Sequence, residues 1–200
     1  MNNPNLFFST PVWVSQISNF KETNELIYKY IKGLNESDNK GIVKSNVKGW
    51  HSKDFNLNDE EPKKFVQLIS PNIKSVLTDM DWDINIQETK ISNMWAIINR
   101  GGAANSRHHH GNCAISAAYY VRAPKNCGDI VFYDPRPAPV FSHPYCNKPN
   151  YLNAMVNSVT PVEGGLVLFP SYLDHSVNEN LSNEERIVIS FNLSLILKIK

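Results

Sequence analysis

From about residue 84 onward the chain is written in short apolar runs. INI (84–86), MWAIIN (94–99), CAISAAYYV (113–121), DIVFY (129–133), MVNSV (155–159), LVLF (166–169) and RIVISFNLSLIL (186–197) are rich in Ile, Val, Tyr and Phe. Gly, Pro, Asn and Asp separate them. Runs of β-branched and aromatic residues between turn formers predict an antiparallel sandwich or barrel. The first 83 residues read differently. Ser18 or Asn19 can cap a helix starting near Lys21. Leu26, Ile27, Tyr30 and Ile31 recur at three-to-four spacing, and Gly33 is expected to end it. A second helix is expected near Asp59, where Glu60, Glu61 and Pro62 suit a first turn. Phe65, Leu68 and Ile69 form its stripe, Pro71 should break or kink it, and Ile73, Val76 and Leu77 continue beyond. The fold class expected is therefore mainly β with flanking helices. It is a jelly-roll whose N-terminal helices pack on one sheet, organised as one domain with a helical part over about 1–83 and a β core over about 84–200.

Composition narrows the function classes. At 200 residues a chain buries roughly 70% of its unfolded surface and needs no disulfide or structural metal to fold. A formal charge of +1 argues against duplex nucleic acid, which calls for an excess of Lys and Arg. No stretch approaches the roughly 20 apolar residues of a membrane span. The opening MNNPNLFFSTPVW lacks the basic and long apolar regions of a signal peptide. Cys113, Cys127 and Cys146 include no CxxC pair, so a reducing, cytoplasmic setting is expected.

Five of the six histidines fall in the β-rich part. Three are consecutive, in Arg107-His108-His109-His110-Gly111. Side chains alternate along a strand, so His108 and His110 share a face and His109 takes the other. Two imidazoles on one face can chelate an ion; a polar surface turn is the plain alternative. His175 follows a buried strand and a Phe169-Pro-Ser171 turn. Arg186 opens the last strand, where Arg186, Val188, Ser190 and Asn192 share a face opposite Ile187, Ile189 and Phe191. An inward guanidinium there would suit a carboxylate.

The order of these features resembles the iron(II)- and 2-oxoglutarate-dependent oxygenases. The narrower likeness is to a family with an HxH motif (His108–His110), an SxxYY strand (Ser116–Tyr120) and a Gly-x-x-x-Phe-x-Asp-Pro-Arg turn (Gly128–Arg136). Its tail, FPS-x-x-x-H…ER-x-x-x-SFN, matches Phe169-Pro-Ser through Glu185-Arg186 and Ser190-Phe191-Asn192. Gly49-Trp50-His51-Ser52 resembles an N-terminal segment of that family. The likeness spans most of the chain, most closely about 95–195.

That resemblance implies a double-stranded β-helix with iron(II) in one mouth and 2-oxoglutarate as co-substrate. It implies oxidation of a C–H bond with release of succinate and CO2. His108, His110 and His175 would be the metal ligands. The wider superfamily carries Asp or Glu where His110 stands, so the third ligand stays open between His110, water, and a carboxylate such as Asp134 or Asp174. Three neutral ligands would leave iron(II) a net charge near +2 and suit anionic co-ligands, and would also suit zinc. Arg186 would bind the distal carboxylate of 2-oxoglutarate, with Tyr120 and Ser190 supplying hydroxyls. The long Pro-rich stretch 134–150 reads as a substrate-facing lid or a stiff surface loop. Within it Arg136, His143 and Tyr145 are candidate substrate contacts, and Trp50 and His51 candidates for a pocket wall. The partners expected are O2 and an unidentified substrate, with no membrane; helices outside the β core could pair two copies, though no feature commits to it. Two rivals stand beside this reading. One is a three-histidine cupin dioxygenase working without 2-oxoglutarate, and the other a non-catalytic jelly-roll holding a structural metal.

Overall fold

Alternation along the strands decides the architecture. In the computed structural model, which describes residues 4–137, 142 and 144–198, the last strand buries Ile187, Ile189, Phe191 and Leu193 on one side. Arg186, Val188 and Asn192 turn to the other. A strand buried on both faces needs a layer on each side. The chain supplies helices on one side and a second sheet on the other.

The elements run β1 (Trp13–Gln16), α1 (Phe20–Ser37), β2 (Asn46–Val47), β3 (Trp50–His51), α2 (Glu60–Asp79), β4 (Gln87–Asn99) and β5 (Ala104–His108). They continue with β6 (Ile115–Arg122), β7 (Ile130–Tyr133), β8 (Val156–Val159), β9 (Gly165–Pro170), β10 (His175–Val177) and β11 (Arg186–Leu197). Among the described residues they form two antiparallel sheets, ordered β1-β9-β6-β11-β4-β3 and β2-β5-β10-β7-β8. This is the jelly-roll with helices on one sheet that the sequence predicts. The long pairing of β11 with β4 carries Arg186 opposite Asn99 and Ser190 opposite Trp95.

The helices cover the larger sheet. Ile27 and Ile31 of α1, with Phe65, Ile69 and Val76 of α2, pack on Ala117, Tyr119, Val121, Ile187, Ile189 and Phe191. Phe65 is fully buried and meets Tyr119 edge-on at 4.9 Å. Burying such a side chain stabilises by roughly 1.5–3 kcal/mol. The Tyr119 hydroxyl donates to Asn24 Oδ1 at 2.6 Å, and Asn24 Nδ2 donates to the Val121 carbonyl at 3.1 Å. That satisfies both polar groups in a layer where an unpaired one is costly. The space between the sheets holds a smaller apolar cluster, including Ala118, Tyr120, Phe132, Val167, Phe169 and Val188.

Four local expectations are corrected. α1 does not stop at Gly33 but runs to Ser37, and Leu34 beyond the glycine still packs on the core. One internal glycine costs only about 0.5–1 kcal/mol, less than that packing returns. Asn19 precedes α1 in the left-handed region and its side chain makes no capping bond. α2 passes Pro71 as one 20-residue helix with Asp59 as its N-cap. INI (84–86) is a turn, and the strand begins at Gln87. Ile84 and Ile86 are exposed, so no layer lies there to cover a strand. No helix among the described residues is long and apolar enough to cross a membrane.

Candidate active site

The site begins with a register. In the antiparallel pairing of β5 with β10, His108 and His175 stand directly opposite each other. Side chains so placed lie about 5 Å apart on one face, and their ring centroids are 4.3 Å apart. β5 ends at His108, so His110 arrives from a loop rather than by strand alternation. The Phe169-Pro-Ser171 turn guides that loop: His110 N–H donates to the Ser171 carbonyl at 2.9 Å, and Ser171 N–H donates to the Ala114 carbonyl at 3.1 Å. The His110 ring then lies 5.2 Å from each of the other two, centroid to centroid. One nitrogen from each of the three rings falls in a set whose members all lie within 4.8 Å of one another. Three nitrogens about 2.1 Å from one ion stand no more than about 4.2 Å apart, so ring movements of less than about 1 Å bring the set onto a metal.

Each ring is oriented by its other nitrogen. His108 Nδ1 lies 2.7 Å from the Ser106 carbonyl and His175 Nδ1 lies 2.9 Å from the Leu173 carbonyl. His110 Nδ1 lies 2.7 Å from Asn192 Oδ1 and 3.0 Å from Ser116 Oγ. A carbonyl only accepts, so Nδ1 of His108 and of His175 carries the proton and the Nε2 lone pair is left free. Burial lowers the pKa of all three imidazoles, that of His175 to about 3, with the neighbouring His108 lowering it further. Three neutral rings, two of them with the Nε2 lone pair left free, could hold a divalent ion.

His109 is not in that set. Its Nδ1 meets Asp174 Oδ1 at 2.9 Å, and Arg107 holds Oδ2 of the same carboxylate at 2.7 Å and 2.9 Å. Partial burial works against ionisation of Asp174. The hydrogen bonds from His109 and Arg107 outweigh it and keep the pKa below the usual carboxylate value. The Arg107 guanidinium also sits 4.1 Å over the Tyr133 ring.

The three imidazoles open into a cavity of about 790 Å³ between the sheets, whose inner wall carries Tyr120, Arg186, Val188 and Ser190. Arg186 is 1% exposed. Its Nη1 donates to the carbonyls of Cys127, Gly128 (3.1 Å) and Asn178 (3.2 Å). Burial lowers its pKa, yet a guanidinium stays charged. Gly128 fits this cradle because its φ is +87° and a Cβ there would come within 2.3 Å of the Asn178 carbonyl oxygen. Nη2 has no partner. A buried unpaired donor costs about 1–3 kcal/mol, more when charged. A carboxylate in the cavity would remove that cost. Tyr120, whose pKa burial pushes up, presents its face here, whereas Tyr119 faces the helices. Among the described residues two further buried polar atoms lack partners, Trp95 Nε1 and Asn99 Oδ1, and both side chains line the same cavity.

Two candidates of the Pro-rich stretch, Arg136 and Tyr145, do not line this cavity. Arg136 is exposed and clamped on Asp134, Nε to Oδ1 at 3.0 Å and Nη2 to Oδ2 at 2.8 Å. Tyr145 is fully exposed. His143 lies outside the described residues. Neither Asp134 nor Asp174 lines the cavity. His51 does; it stacks on Trp95 at 5.5 Å, while Trp50 donates its indole N–H to the Asp38 carbonyl. Sequence reasoning assigned no role to Trp95, Asn99 or Ser116. The face-sharing of β11 was a usable signal for the first two, since they pair across from Ser190 and Arg186.

The profile of the family described as "Putative 2OG-Fe(II) oxygenase" matches residues 93–192. The chain belongs to the 2OG-Fe(II) oxygenase family. The match spans β4 through most of β11 and so contains all three histidines, Tyr120, Arg186 and Ser190. Among solved structures this oxygenase is similar to a Pseudomonas putida prolyl-4-hydroxylase (TM-score 0.65, 11% identity, 93% of each chain covered). It is likewise similar to the collagen prolyl hydroxylase of Paramecium bursaria Chlorella virus 1, in complex with 2OG (TM-score 0.60, 13% identity, 93% and 96% covered). A third likeness is to HygX of Streptomyces hygroscopicus with nickel and 2-oxoglutarate bound (TM-score 0.61, 9% identity, 92% and 83% covered). Identities this low carry the double-stranded β-helix fold and leave the substrate open. No curated protein sequence matches the oxygenase.

Proposed function

We propose that this oxygenase hydroxylates a C–H bond of a substrate of unassigned class, coupled to conversion of 2-oxoglutarate to succinate and CO2. His108, His110 and His175 hold iron(II) through Nε2, and Arg186 holds the distal carboxylate of 2-oxoglutarate with Tyr120 and Ser190 beside it. The carrying observation is that three neutral, correctly oriented imidazoles and a buried guanidinium with an unpaired Nη2 line one cavity. When bound, iron and 2-oxoglutarate together supply activation of O2 and oxygen insertion. The protein's own residues orient and exclude. Nη2 and the Tyr120 hydroxyl fix the far end of the diacid, and the imidazoles contribute no negative charge. An ion held by three neutral ligands keeps its full +2 charge, which favours a dianionic co-substrate. Phe169, Val188 and Ile130 give the inner cavity a dry wall, which strengthens these charge interactions.

The test is succinate release from 2-oxoglutarate by metal-stripped protein supplied with iron(II), ascorbate and O2. Uncoupled turnover should appear with wild type and fall at least tenfold in Arg186→Gln. Oxidation of a substrate without 2-oxoglutarate would move the protein to the cupin dioxygenases. Absence of any turnover, with metal bound, would make it a binding module.

A further inference from the structure

The SxxYY and SFN motifs each contribute one side chain that binding of iron and 2-oxoglutarate leaves without a task, and the two meet behind His110. Ser116 and Asn192 are partners in the pairing of β6 with β11. They are 1% and 8% exposed. Asn192 Oδ1 lies 2.7 Å from His110 Nδ1 and 2.9 Å from Ser116 Oγ. Ser116 Oγ lies 3.0 Å from the same imidazole nitrogen. We infer that Ser116 and Asn192 are positioning residues that make His110 a metal ligand, by holding its proton on Nδ1 and so freeing Nε2.

His110 differs from its two companions in what stands behind it. A main-chain carbonyl can only accept, and it locks His108 and His175 in one tautomer whatever the side chains do. Behind His110 stands an amide, which both accepts and donates. With Oδ1 toward the ring, the amide takes the Nδ1 proton and also the Ser116 hydroxyl proton. With the amide reversed, its NH2 donates to Nδ1, the proton moves to Nε2, and no lone pair remains for an ion. Metal binding therefore selects the first arrangement. Ser116 fits it too, its O–H donating to Asn192 Oδ1 at 2.9 Å; in the reversed arrangement that O–H turns to Nδ1 instead. An oxygen hydrogen-bonded behind a metal-bound imidazole also raises the basicity of the ring, and loss of such a partner typically costs 10–100-fold in metal affinity.

This inference rests on the ligand set proposed above, and the two can fail separately. Cobalt(II) is titrated calorimetrically into metal-stripped wild type, His110→Ala, Asn192→Leu, Asn192→Asp and Ser116→Ala, with thermal unfolding of each metal-free protein as the check on folding. Asn192→Leu should raise the cobalt Kd by about 10–100-fold. Asn192→Asp, which accepts but cannot donate, should bind as tightly as wild type or more tightly. Ser116→Ala should fall between Leu and wild type. A folded Asn192→Leu that binds like wild type overturns the inference, as does an Asn192→Asp weaker than wild type. If Asn192→Leu does not fold, Asn192→Asp decides alone. Equal binding by His110→Ala and wild type would instead overturn the ligand set itself.

Discussion

Three imidazoles, one buried and two half-buried, dominate the chemistry at the scale of single residues. His175 is the most enclosed, and its burial holds its pKa at about 3. In the unfolded chain the same group titrates near 6.5. Between those values the unfolded state binds a proton that the folded state refuses, so acid favours unfolding. The stability that His175 contributes is complete above about pH 6.5 and is lost as pH falls toward 3. His108, His110 and His51 shift in the same direction. Urea midpoints of the metal-free protein should therefore drop steadily from pH 7 to pH 4.5, and His175→Gln should flatten that slope. A profile unchanged by the substitution would mean that the ring is hydrated in solution. Bound metal occupies the same lone pairs, so the holoprotein should resist acid further.

At the scale of elements, the Arg107 ion pair and the His109 hydrogen bond that join the HxH segment to Asp174 matter for geometry more than for stability. Arg107 and His109 both hold Asp174, the residue immediately before His175, and all three side chains are partly exposed. Exposed pairs contribute about 0–1 kcal/mol. Asp174→Ala should therefore change the urea midpoint little, yet lower nickel(II) affinity several-fold by loosening the first two histidines against the third. An unchanged nickel Kd would reduce the cluster to surface decoration. Elements were also where the sequence was read unevenly. The inward and outward faces of β11 were legible, because strict alternation of Ile187, Ile189 and Phe191 with Arg186, Val188 and Ser190 admits one registration, whereas on β6 alternation showed only that one of Tyr119 and Tyr120 faces the cavity. β5 and β10 are legible as strands from the alternation of His108 with His110 and from the turn before His175 rather than from their own composition. ANSRH and HSV carry little apolar signal and are ordered by pairing with each other and with β7 and β2. The convergence of His108 and His110 was anticipated for a partly wrong reason. Alternation was invoked, whereas a loop pinned by the Ser171 carbonyl does the work. Gly33 misled as a stop signal, and Pro71 does not break its helix, because packing against the sheet outweighs a single residue's propensity.

At the scale of the whole molecule, the site spans the gap between two sheets. His108 and His175 belong to the five-stranded sheet, and Arg186, Tyr120 and Ser190 belong to the six-stranded one. A diacid bound to the metal at one end and to Nη2 of Arg186 at the other would tie the sheets together. A metal ion alone reaches the six-stranded sheet only indirectly, through His110 and its partners Ser116 and Asn192, and 2-oxoglutarate without metal has one anchor. A ligand stabilises a fold by RT ln(1 + [L]/Kd), about 2.7 kcal/mol at a hundred times Kd. Two ligands that strengthen each other's binding must therefore raise Tm by more than their separate shifts combined. Nickel(II) alone should raise Tm, 2-oxoglutarate alone should scarcely move it, and the pair should exceed the sum. Arg186→Gln should keep the nickel shift and lose the excess. A purely additive response in the wild type would mean that the diacid binds without bridging from the histidines to Arg186, and the cavity would then need a different occupant for its unpaired guanidinium nitrogen.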